Sequence, residues 1–264
     1  MKARGKQVGA RAGLVIMAKF CAPLVGGILI NTYGFWTAFI TASVVMLFAV
    51  LPLLRLPDVP LPTPINFKKA LRKVSKQGFI IYFAWGIYEE FNFLAWTLVL
   101  FLLIGNYIYF GGLLSFAIVF QIIGNFIVGH WFDNGTAKRI FGIGFLITAL
   151  TIISRSLFAY TIPVIIILDM FFMLGTCLSE PALESVFYNT SKKSSHPLWY
   201  QFFAETGWDV GSSFFLLLAS LFLYLGGDLR NVMLFSIFGL LGMAVILRRY
   251  FKYEHNNAIQ NRTM

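Results

Sequence analysis

Two adjacent acids, Glu89 and Glu90, stand deep inside an apolar run that extends from Gly78 to Ile104. Trp85, Glu89, Asn92 and Trp96 recur at i, i+4, i+7 and i+11, the spacing of one helical face. A carboxylate about ten residues into a helix lies roughly 15 Å from its end, near the midplane of a bilayer. Such a group binds a cation, or carries a proton when burial raises its pKa. The competing reading is that one of the two caps a neighbouring polar group and is purely structural.

Other polar residues interrupt the apolar sequence at helical spacing. Gln121 and Asn125 stand at i, i+4 and suit either solute contact or hydrogen bonding between helices. Arg155 and Asp169 flank a short turn near 160–162 at similar depth, so an ion pair is the simplest way to keep both in an apolar medium, with gating or binding as the alternative. Glu180, Glu184, Glu205 and Asp209 form a further group near the bases Lys192 and Lys193, suited to gating or to ordinary interfacial charge. Lys19 is expected to snorkel toward the near surface. His130, His196 and His255 are scattered, and Cys21 and Cys177 sit in apolar runs with no metal or disulfide spacing. There is no hydrolytic or redox constellation and no phosphate-binding glycine loop, so neither an enzyme, a metal nor a cofactor is expected.

The elements that would carry these groups are transmembrane helices. Of the 264 residues, 58% are hydrophobic and only 12% charged, against roughly 25% charged in a soluble domain. The apolar residues fall in runs of about 20, the length that spans a bilayer. Eight spans are expected: 12–31, 35–55, 78–104, 109–131, 140–159, 162–188, 199–224 and 229–250. Of the 21 Lys and Arg, 18 fall on one side of this arrangement; only Arg230, Lys19 and Arg155 do not. The net charge of +10 therefore follows the positive-inside rule rather than nucleic-acid binding, and it places both termini in the cytoplasm of a multi-pass plasma-membrane protein. The residues 57–77 form a cytoplasmic loop that is proline-rich at first. Phe67–Lys76 then reads as a basic amphipathic helix at the membrane surface, or as a solvated linker.

Between two spans lies the polar turn Gly129–Arg139, with Gly129, Asp133, and the basic pair Lys138 and Arg139. This pattern resembles the loop signature of the major facilitator superfamily. Ala22-Pro-Leu-Val-Gly-Gly-Ile-Leu29, followed by Tyr33-Gly-Phe-Trp36, resembles the fifth and sixth helices of that family, with Ala22 in place of the usual first Gly. The resemblance covers nearly the whole chain. It implies an all-α, polytopic fold with residues 1–56 as the last two helices of an incomplete N-terminal bundle. Residues 57–77 would be the central loop, 78–252 a complete six-helix C-terminal bundle, and 253–264 a cytoplasmic tail. It also implies secondary active transport of a small solute by alternating access, coupled to H⁺ or Na⁺. The substrate or ion would meet Glu89, Glu90, Asn92, Gln121, Asn125, Arg155 or Asp169. Gly129, Asp133, Lys138 and Arg139 would act as a cytoplasmic latch with Glu180, Glu184, Glu205 and Asp209. A family member has twelve helices, so a missing N-terminal half or another copy would complete the protein. The alternative is a membrane scaffold or partner subunit that keeps this fold and does not transport.

Overall fold

The computed structural model describes residues 2–55, 76–132, 137–194 and 197–263. Every regular element among the described residues is helical, as a chain whose backbone must satisfy itself in lipid requires. The helices are α1 (Lys2–Tyr33), α2 (Phe35–Leu53), α3 (Lys76–Glu90), α4 (Trp96–Ile104), α5 (Tyr107–Phe132), α6 (Ala137–Phe158), α7 (Ile162–Lys193), α8 (Pro197–Tyr224), α9 (Leu229–Val232) and α10 (Ser236–Thr263). A π-helical turn, Phe91–Ala95, joins α3 to α4, and a 3₁₀ turn, Met233–Phe235, joins α9 to α10.

Seven segments of these helices are long and apolar enough to cross a membrane, the make-up of a multi-pass membrane protein. They coincide with seven of the eight expected spans. The first expected span lies within the continuous helix α1 but is not among the seven; Lys19, exposed on α1, lies within it. The third expected span crosses the π-turn, and the eighth crosses α9, the 3₁₀ turn and α10. The expected amphipathic helix Phe67–Lys76 falls almost wholly outside the described residues.

The chain divides into two compact units, Met1–Asn66 with Ile104–Ile122, and Phe67–Leu103 with Ile123–Met264. In the first, α1 and α2 form a hairpin about Gly34, whose φ of 85° is the left-handed conformation that glycine tolerates. The first part of α5 lies against α1. Gly27 faces the carbonyl of Tyr107 and Gly111 faces that of Pro23, with no room for a side chain at either glycine. Ser115 Oγ donates to the carbonyl of Phe20 at 2.6 Å.

The second unit holds the aromatic core, with Ile81, Tyr82, Ala84 and Tyr88 of α3 among Phe141, Ile152, Phe172, Phe187, Tyr200, Leu240 and Leu247. Its helices are drawn together by glycine. Gly207 and Gly211 of α8 lie on the backbone of Phe79 and Phe83, and Gly86 of α3 lies on that of Trp208. Gly239 of α10 meets the backbone of Ala84 and Tyr88. On the other side of the unit, a Cβ on Gly144 of α6 would come within 2.9 Å of the Gly175 carbonyl of α7. Small residues permit this approach where apolar lipid supplies no hydrophobic drive for association. Gly112 and Gly142, by contrast, face open space.

At the end of this unit that carries the 159–161 turn, Asp228 caps α9 by accepting from the amide of Arg230 at 2.8 Å. Arg230 also donates from Nε and Nη2 to the same carboxylate, at 3.2 and 2.7 Å, and its guanidinium lies over the ring of Tyr160 at 4.5 Å. The side-chain and backbone hydrogen bonds from Arg230 hold the Asp228 carboxyl below its ordinary value. The stabilisation is therefore present above about pH 3.9, the unfolded value, and is lost as pH falls through the lower native one.

Two outcomes follow from this packing. Gly211→Val should destabilise the protein by about 1–3 kcal/mol, the ordinary cost of overpacking, whereas Gly142→Ala should leave stability unchanged or raise it by up to about 1 kcal/mol; denaturant unfolding in detergent micelles compares them. In a carboxylate-resolved NMR titration, Arg230→Ala should return Asp228 toward about 3.9.

Candidate functional site

The most constrained polar group of the second unit is Arg155, which is 1% exposed. The antiparallel hairpin of α6 and α7 brings it to Asp169, and Nη2 donates to Asp169 Oδ1 at 2.5 Å. This is the expected ion pair. The guanidinium carbon lies over two rings, 4.3 Å from the centroid of Trp96 and 3.9 Å from that of Phe172. An aromatic face attracts a cation, by about 2 kcal/mol or more when water is excluded. Trp96 contributes a second time, since its Nε1 donates to the same Oδ1 of Asp169 at 2.9 Å. Nε and Nη1 of Arg155 meet no acceptor among the described residues.

A different set of side chains opens outward from the same unit. Glu89 is exposed on α3, and Trp208 Nε1 of α8 donates to its Oε2 at 3.2 Å. On α8, Glu205 and Asp209 are exposed one turn apart, and Gln201 Nε2 donates to Glu205 Oε1 at 3.2 Å. Glu184 is exposed on α7, while Glu180 is half-buried there, next to the helix-interior Pro181. Two tyrosines of α3, Tyr82 and Tyr88, are buried in the same unit. Tyr88 stacks on Phe172, with centroids 6.5 Å apart, and through that ring adjoins the buried pair. Tyr82 is packed edge-on against Trp85, with centroids 5.1 Å apart.

The remaining expected residues distribute as follows. Glu90 and Asn92 are half-buried; Asn92 Nδ2 donates to the carbonyl of Tyr88 at 2.6 Å, a local contact. Glu89, Asn92 and Trp96 do not form one surface, because the π-turn changes the register between them: Glu89 is exposed and Trp96 buried. Gln121 belongs to the first unit, and Asn125, exposed, to the second. Of the turn expected at Gly129–Arg139, residues 133–136, with Asp133, lie outside the described residues. The side chains of Lys138 and Arg139 lie outside them too, as does a pairing of Arg139 with Glu180 or Glu184.

Tyr88, Trp208 and Phe172 belong to the site without any sequence signal of their own. Trp96 shared a spacing with Glu89, yet its partner is Asp169. Among the described residues, no group of three or more His, Cys, Asp or Glu side chains could hold a metal ion. Comparisons with family models, curated proteins and solved structures gave no match.

Removing one partner of a buried pair strands the other. Arg155→Leu and Asp169→Leu should each destabilise the protein by about 3–5 kcal/mol, and the double variant by less than either alone. Unfolding of the three variants in one detergent measures this coupling directly.

Proposed function

We propose that this chain is a secondary transporter of a small solute that works by alternating access, driven by H⁺ or Na⁺ and resident in the plasma membrane with both termini in the cytoplasm. The observation that carries this reading is the exposure of Glu89, Glu205 and Asp209 on helices of membrane-crossing length. An Asp at the centre of a span facing lipid costs roughly 2.5–3.5 kcal/mol on the insertion scale. Acids on an open face of such helices therefore suit a hydrated cavity, and a cavity at membrane depth is where a carrier binds its solute and coupling ion. The side chains around it divide naturally. Glu89 and Glu90 are the ion- or solute-coupling groups, and Trp208 orients Glu89. Asn92 and Asn125 offer further polar contacts. Arg155 and Asp169 brace the helices behind that face.

The distribution of Lys and Arg supports the cytoplasmic placement of the Gly129–Arg139 turn. Asp133, Lys138 and Arg139 then form a latch with Glu180, Glu184, Glu205 or Asp209, pairing in one state of the carrier and parting in the other. A second copy of the chain would supply the opposing wall of the cavity.

The reading is tested in proteoliposomes adsorbed on a solid-supported membrane and supplied with panels of small solutes under H⁺ or Na⁺ gradients. The wild-type chain should give solute-dependent currents, and Glu89→Gln with Glu90→Gln should abolish them without reducing insertion. Unchanged currents in that double variant remove the coupling role of both acids. Absence of current from the wild type under every gradient favours the non-transporting scaffold.

A further inference from the structure

We propose that the π-turn at Phe91–Ala95 is a register switch, held in its present setting by the hydrogen bond from Trp96 to Asp169. A π-turn is in effect one residue inserted in an α-helix, and such insertions concentrate at functional sites. If the turn relaxed to α-helix with the sequence unchanged, everything after it would rotate by about 100° and advance by about 1.5 Å. Trp96 is the first residue after the turn. Relaxation would therefore swing its indole off Asp169 and uncover one face of the Arg155 guanidinium.

Both sides of the turn are prepared for this. Upstream, α3 is fixed against α8 by Gly86 on the backbone of Trp208, and Tyr88 stacks on Phe172 with centroids 6.5 Å apart. Asn92 Nδ2 donates to the carbonyl of Tyr88 at 2.6 Å, and Thr97 Oγ1 donates to that of Phe93, so side chains serve carbonyls at the turn, where the regular ladder is interrupted. Within the turn, Phe91 is buried against Phe215 and Phe235 and Ala95 is buried, whereas Phe93 and Leu94 are exposed. Downstream, the indole of Trp96 makes the polar contact that ties α4 to the charged pair. The setting of α4 relative to α3 is thus coupled to the state of Asp169, which gives Trp96 a positioning role toward the acids on α3.

Amide hydrogen exchange of the full chain in nanodiscs tests this without a substrate, so its outcome is independent of the transport reading. Trp96→Phe should speed exchange at residues 91–97 by roughly ten-fold or more, the effect of losing one charge-assisted hydrogen bond from a local opening equilibrium. Deleting Leu94 removes the inserted residue. It should leave a continuous α-helix with Trp96 still on Asp169, slow exchange in the same stretch, and abolish the effect of adding Trp96→Phe. Should that deletion fail to fold, deletion of Phe93, the other exposed residue of the turn, is the second variant, and it must give the same result. The proposal is overturned if Trp96→Phe leaves residues 91–97 unchanged, if its effect spreads evenly over all helices, or if it persists in the deletion background.

Discussion

A guanidinium that is 1% exposed inside an apolar helical unit sets the terms for much of what surrounds it. It keeps its charge at any ordinary pH, so the protein must supply what water would. Asp169 gives an opposite charge, and Trp96 and Phe172 give two π faces. Trp96 in turn is brought there by the π-turn, and Phe172 is stacked with Tyr88. One charged side chain on α6 therefore meets α4 and α7 directly, and α3 through the Phe172 ring.

Glycine provides the complementary constraint. In lipid, helices gain little from burying apolar side chains against one another, and close backbone approach becomes the main source of adhesion. The seam of Gly86, Gly207 and Gly211 joins α3 to α8, while Gly144 and Gly175 join α6 to α7. The α3–α8 seam brings Trp208 to Glu89 and so gives that acid an oriented donor. The acids of α8 then fall on the side of the unit away from the core, where they remain exposed.

The unit thus holds charged groups of two kinds. In its interior, Arg155 and Asp169 are paired, desolvated and flanked by rings. Glu89, Glu184, Glu205 and Asp209 are exposed, and Glu180 is half-buried. A binding face needs side chains that can exchange partners, and these need a scaffold that does not yield. The buried pair suits the second role and the open acids the first.

The sequence by itself determined that the chain is helical and built to cross a membrane, because apolar run length and the absence of lipid-compatible alternatives leave no other solution. It also determined that Arg155 and Asp169 belong together, since matched depth on adjacent helices leaves two opposite charges one economical arrangement. Periodicity located Glu89 within a span. The tertiary structure alone decided which surfaces these residues occupy. A regular helix would align Glu89, Asn92 and Trp96, but the inserted residue of the π-turn sends the acid outward and the indole inward. The pairings of Trp96 with Asp169 and of Trp208 with Glu89 span 73 and 119 residues. Contacts of that range depend on which helices become neighbours, and one-dimensional spacing carries no record of it.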